Sequence, residues 1–221
     1  MAHIRYAGPE AVLDALVDRY PILAPQKEDI HALYELIRQS FASGGKLLVC
    51  GNGGSAADAL HIVGELMKSF TLPRPIDAEA ARLLSERFGQ EGERLAASLE
   101  GALPAVALVE NAALSTALQN DVSGGISFAQ QVYGLGRPGD VLLCISTSGN
   151  AANAVAAAMV AHARGMRVAL LSGGTGGKLR PLCDVSVVVG VSETFMVQEL
   201  HLPVYHALCL MLEYAFFPPA Q

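Results

Sequence analysis

His61 and Glu65 stand four residues apart, and Gln198 and His206 eight apart, in two apolar stretches of a 221-residue chain. On a helix a four-residue spacing puts two side chains on one face. Eight residues, a little over two turns, bring them to neighbouring parts of one face. Imidazole and carboxylate are the groups that move protons to and from a substrate near neutral pH. Burying four polar groups on otherwise apolar helices is costly unless they meet one another or a ligand. A single histidine of this kind reads more simply as a satisfied core residue, and that reading weakens when four such groups recur together.

Two turns supply a different chemistry. Gly51-Asn52-Gly53-Gly54-Ser55-Ala56 follows an apolar run and precedes helix-like sequence, so it satisfies G-x-G-x-x-A, the permissive dinucleotide fingerprint. That fingerprint also needs its next strand within a unit of about 30 residues, whereas here the next strand-like run starts at Pro104. A nucleotide cofactor is therefore not expected, and the glycines alone are compatible with a purely structural turn. The second turn, Ser146-Thr147-Ser148-Gly149-Asn150, also precedes helix-like sequence. One hydroxyl suffices for a helix cap, while three in succession with the free N–H groups of a helix start suit a phosphate monoester. Gly173-Gly174-Thr175-Gly176-Gly177-Lys178 is followed by Leu179, so it lacks the hydroxyl a P-loop presents to magnesium.

The elements that must position these groups follow from periodicity. Short apolar runs at 46–50, 104–109, 140–145, 167–171 and 184–189 read as buried strands. Helix-like sequence between most of them predicts a parallel sheet covered on both faces. Residues 10–19 and 26–42 show helical spacing ahead of the first strand and are candidates for packing against another subunit. The charged stretch 75–101 predicts a helical excursion broken near Gly89 to Gly92, and 193–217 predicts a long apolar helix ended by Pro218-Pro219.

Composition narrows the partners. A formal net charge of -6 gives no overall attraction for nucleic acid, and no Trp with 6% aromatics leaves no stacking platform. No signal-peptide start and no apolar run of about 18 residues are read, so a cytoplasmic protein without a membrane partner is expected. Cys50, Cys144, Cys183 and Cys209 are scattered, with no C-x-x-C pair, and are expected as reduced core thiols.

The segments CGNGGSAAD, DVLLCISTSGN and VQELHLPVYH, in this order, resemble the sugar isomerase (SIS) domain and, within it, the phosphoheptose isomerase branch. The similarity runs over residues 46–217, apart from 71–101. It implies one α/β domain over 1–221, a flavodoxin-like three-layer sandwich with a five-stranded parallel sheet, an N-terminal helical segment 1–45 and a helical insertion at about 71–101. It also implies a homotetramer with sites shared between subunits, and conversion of sedoheptulose 7-phosphate into D-glycero-D-manno-heptose 7-phosphate. Such a reaction moves a proton between adjacent carbons through an enediol. By resemblance Glu65 is the base, and His206 the acid/base at the sugar oxygens. Asn52, Gly53, Ser55, Asp121, Ser146, Thr147, Ser148 and Gln198 would contact substrate, and His61, Glu65, Gln198 and His206 match positions that bind zinc in some members. His201 matches another family histidine.

The chain also departs from the branch. Ala151 stands where a further Ser is usual, Phe195 where an Asp is, and Ser69 where an Arg is, with Lys68 beside it. Those changes remove polar contacts to substrate, so an enzyme on another phosphosugar remains an alternative. So does a non-catalytic SIS protein that senses a sugar phosphate or associates with a replication initiator.

Overall fold

A computed structural model describes residues 5–122 and 124–219. Five parallel strands form one sheet: β1 (Leu47–Gly51), β2 (Ala105–Ala107), β3 (Val141–Ser146), β4 (Arg167–Gly173) and β5 (Val185–Val189). Their spatial order is β2-β1-β3-β4-β5. Every residue of β1 and β3 is buried, as expected of parallel strands covered on both sides. Alternate side chains divide between two cores. Leu47, Val49, Val141, Leu143 and Ile145 face one layer, and Leu48, Cys50, Leu142 and Cys144 the other.

The first layer holds α1 (Pro9–Arg19), α2 (Lys27–Ala42), α3 (Gly54–Met67) and α8 (Thr194–Phe216). The second holds α6 (Ser127–Leu135) and α7 (Ala152–Ala163). Ala154, Ala157, Ala158 and Ala161 recur at helical spacing along α7 and are fully buried, so this small-residue stripe lies close on the sheet. The edge strand β2 is only three residues long, against six expected from its apolar run. Its Val106 faces outward at 37% exposure, and the carbonyl of Leu108 turns away to accept from the Gln131 amide at 2.7 Å. Short edge strands leave little unpaired backbone.

The excursion is helical, and it breaks where expected. In α4 (Ala78–Ser98), Gly89 has φ 55° and ψ -136°, which divides the element into two arms. A Cβ at Gly92 would overlap the Leu84 carbonyl, so glycine is what lets the arms touch. Asp77 caps the first arm by accepting from Ala80 N at 2.8 Å. A bridge between Pro75 and Glu100 closes the base. One expectation needs correction: α8 is long and apolar enough to cross a membrane. Its most apolar 18-residue window is 56% buried inside the fold, so it serves as the core helix of the first layer.

Candidate active site

The two glycine- and hydroxyl-bearing turns leave the carboxyl ends of β1 and β3, the adjacent strands between which the sheet order reverses. Open α/β sheets bind ligands in the crevice at such a reversal. A cavity of about 490 Å³ lies there, lined by Asn52 to Ser55, Ser146 to Ser148, Asn150, Thr194 and Gln198. The glycines have separate duties. At Gly51 a Cβ would press on the Ser55 backbone, Gly53 takes φ 55° ahead of α3, and at Gly54 a Cβ would strike the Gln198 amide. The N-terminus of α3 lines the cavity, and the positive end of its dipole favours an anion there.

A residue pair not anticipated from the sequence joins the turns. Asn52 and Asn153 exchange amide hydrogen bonds, both 2.9 Å. The glycine segment unsuited to a P-loop braces the second turn. Gly173 N donates to Thr147 O at 3.0 Å, Leu179 N to Gly149 O at 3.0 Å, and Lys178 N to Asn150 Oδ1 at 3.1 Å. Gly149, at φ 67°, has the Gly176 carbonyl where a side chain would go.

The proton-transfer groups gather further along α3 and α8. Glu65 Oε1 lies 3.3 Å from His61 Nε2. The His206 ring stands edge-on to that of His61, with centroids 5.0 Å apart, and Phe70 covers it at 5.7 Å. Burial, reinforced by His61, lowers the His206 pKa against the opposing pull of Glu65, which favours a neutral imidazole. Tyr205 OH meets His61 Nδ1 at 3.0 Å and Asp58 Oδ1 at 3.3 Å.

Behind this cluster an ion pair holds the end of α3. Arg74 and Glu213 have fully buried side chains, with Nε to Oε1 at 2.7 Å. The guanidinium donates to the carbonyls of Leu66 at 2.9 Å and Glu65 at 3.1 Å, two of the four that a helix end leaves unpaired. Glu213 accepts from the backbone N–H groups of Phe70, Thr71 and Leu72 and from the Thr71 hydroxyl. Burial raises its pKa, but those donors and Arg74 more than offset it, so the carboxyl sits below its ordinary value. Sequence reading passed over Arg74 because it lies in the excursion. Glu213 had a visible signal, a lone carboxylate in the apolar run Leu208 to Tyr214, which burial permits only with a partner.

Other expected site residues lie apart. Asp121 is exposed at the end of α5 (Ala112–Asp121), where it accepts from the Asn120 amide. His201 is fully buried with both ring nitrogens unpartnered, and burial lowers its pKa to about 4. The four residues matched to zinc do not converge: Gln198 lies against Gly54 at the turn, away from His61 and Glu65. Among the described residues no three His, Cys, Asp or Glu side chains are placed to hold one metal ion. The donor chemistry suits zinc, but the placement within this chain does not fit it, and no step below passes through a metal. Cys50, Cys144 and Cys209 are buried free thiols, and Cys183 is half-buried.

Comparison with known proteins agrees with this geometry. The SIS domain model matches residues 15–94 and 80–173, the two stretches overlapping within α4. A phosphoheptose isomerase of Thiobacillus denitrificans is 38% identical over 211 residues, covering 94% of this chain and 92% of the relative. One from Synechocystis is 36% identical over 188 residues, covering 85% and 84%. The phosphoheptose isomerase structure from Neisseria gonorrhoeae superposes with a TM-score of 0.69 at 34% identity, covering 91% and 92%. That from Francisella tularensis gives 0.70 at 30%, covering 92% and 93%. Helix α3, which bears His61 and Glu65, lies within the stretch that the domain model matches, and the chain belongs to the SIS domain family, in its phosphoheptose isomerase branch.

Proposed function

We propose that the chain interconverts the ketose and aldose forms of a seven-carbon sugar phosphate, sedoheptulose 7-phosphate and D-glycero-D-manno-heptose 7-phosphate. The observation that carries this reading is a carboxylate, Glu65, held beside His61 and His206 on the helix that starts at the anion-favouring turn. Glu65 takes the proton from C1 of the ketose, which leaves an enediol, and returns it to C2. His206, as a neutral imidazole, donates at the C2 oxygen and accepts at the C1 oxygen. A neutral histidine is suited to that exchange because each ring nitrogen can take a different role. Ser146, Thr147, Ser148 and Ser55 hold the phosphate, with Asn52 and Gly53 at the same turn and Gln198 beside the sugar.

Glu65 lies eleven residues beyond Gly54 on α3, about 16 Å along the axis, and it does not line the turn cavity. The proposal therefore joins the turn of one copy to the Glu65 and His206 cluster of another, in a cytoplasmic homotetramer. Exposed Leu60 and Met67 on α3, with Phe195, Met196 and Leu202 on α8, supply an apolar face for such packing. Asp121 would reach the sugar hydroxyls from a neighbouring copy.

The test is proton exchange from sedoheptulose 7-phosphate in heavy water, followed by NMR, for the intact protein and Glu65→Gln. Exchange and aldose formation that vanish in the variant support the reading. No exchange with the intact protein refutes the heptose assignment. Mixed oligomers of Glu65→Gln with Ser146→Ala recover activity only if the halves come from different copies.

A further inference from the structure

The Asn52 and Asn153 side chains close a ring of two hydrogen bonds between the turns. Asn52 Nδ2 donates to Asn153 Oδ1 and Asn153 Nδ2 to Asn52 Oδ1, both at 2.9 Å. Asn52 follows β1 in the glycine turn, and Asn153 sits in the first turn of α7, beyond β3. Asn52 lines the cavity, whereas Asn153 does not. Asn153 Oδ1 also accepts from Ala154 N at 3.0 Å. Ala151, the N-cap residue of α7, offers no side-chain acceptor, so the N–H at the third helical position is left to Asn153.

Donor and acceptor chemistry fixes which way both amides face. A primary amide that turns over exchanges its oxygen, an acceptor, for its NH2 group, a donor. Asn153 cannot turn without setting its NH2 group against the Ala154 N–H, two donors with no acceptor between them. Asn52 cannot turn while Asn153 stays, because oxygen would then meet oxygen and NH2 would meet NH2. The ring consumes the amide hydrogen on the oxygen's side of each nitrogen, so Asn52 keeps its second Nδ2 hydrogen for a ligand. A sugar hydroxyl both donates and accepts, and would suit either face of an amide. The oxygens of a phosphate dianion only accept, so a fixed amide matters to them.

We infer that Asn153, itself held by the Ala154 N–H, is a positioning residue that locks the Asn52 amide as a donor to a phosphate oxygen of the ligand. This rests on the phosphosugar reading above and adds to it the residue that orients one of its contacts. The consequence falls on binding and not on chemistry. The amide ring joins the two turns at the cavity, while the proton-transfer groups lie further along α3 and α8. A contact made equally in the bound substrate and in the transition state alters KM and leaves kcat alone.

The test is a double-mutant cycle on the full-length protein: Asn52→Ala, Asn153→Ala and the two together. Inorganic phosphate is titrated by isothermal calorimetry, and isomerisation of sedoheptulose 7-phosphate is followed at steady state. Asn52→Ala is expected to weaken phosphate binding by about tenfold or more, the scale of a hydrogen bond to a charged group. Asn153→Ala leaves Asn52 in place but free to turn, and should weaken phosphate by about threefold to tenfold, the scale of one neutral bond. Its KM should rise to match, with kcat within about twofold. The double variant should bind phosphate within about twofold of Asn52→Ala, because Asn153 acts only through Asn52. Unchanged phosphate binding in Asn153→Ala, or a double variant that loses the product of the two singles, overturns the inference. Should Asn153→Ala not fold, Asn153→Gln takes its place in the cycle, since it keeps an amide but sets it one methylene out of step with Asn52. If the parent binds phosphate but turns over no heptose phosphate, the heptose reading falls, while the phosphate cycle still decides the role of Asn153. A parent that binds no phosphate overturns the inference.

Discussion

Removal of Glu213 tests the anchoring of the catalytic helix. In Glu213→Ala the Arg74 guanidinium stays buried with its charge uncompensated, and three backbone N–H groups with the Thr71 hydroxyl lose their acceptor. Breaking a buried pair from one side costs about 3–5 kcal/mol. Each orphaned donor adds about 1–3 kcal/mol where water cannot reach it, so the lower figure is a floor unless water fills the vacated space. At this chain length about 2–4 °C of melting temperature is lost per kcal/mol, which sets the expected drop at roughly 6–20 °C. Arg74→Met should cost less, because the carboxylate keeps its three N–H donors and the Thr71 hydroxyl. The double variant Arg74→Met with Glu213→Leu removes both charges and should be more stable than Glu213→Ala alone. Urea unfolding followed by circular dichroism, at one fixed protein concentration because oligomers shift with concentration, measures all three. A Glu213→Ala cost below about 1 kcal/mol, the scale of a surface pair, or a double variant that loses the sum of the singles, would refute the reasoning. The functional corollary is that Arg74→Met lowers kcat at temperatures where it is folded, since Arg74 holds the carbonyls of Glu65 and Leu66.

Further outcomes are expected. His201 has its folded pKa lowered from 6.5 to about 4, so the unfolded chain binds a proton that the folded one does not. Stability on this account is intact above pH 6.5 and falls as pH drops from 6.5 toward about 4, by about 3 kcal/mol in all. His201→Leu should flatten that part of the urea midpoint against pH curve, and an unchanged slope would exclude the histidine as its source. Gly149→Ala places a methyl on the Gly176 carbonyl at positive φ. It should raise KM for the phosphosugar by about tenfold or more, as about 1–2 kcal/mol of left-handed strain displaces the turn; a normal KM would mean that the turn does not hold phosphate.

Much of this protein was legible in the linear order of its residues. Buried parallel strands must be continuous apolar runs, so all five appeared in the sequence within two residues of their ends, and Gly89 marked the break in the excursion. The helical period alone placed His61 beside Glu65, because both lie on one helix, four residues apart. The two turns were readable for the same local reason: a glycine- and hydroxyl-rich segment after a strand has few conformations open to it. What lies between elements was not readable, since no period relates position 205 to 58, 153 to 52, or 213 to 74. The packing of α8 against α3 decided the contacts of Tyr205 with His61 and Asp58 and the Arg74 anchor. It also parted Gln198 from His61, because eight residues of helix separate Gln198 from His206 by about 12 Å along the axis. Sequence determines which groups a helix presents, and only the approach of a second helix determines what those groups meet.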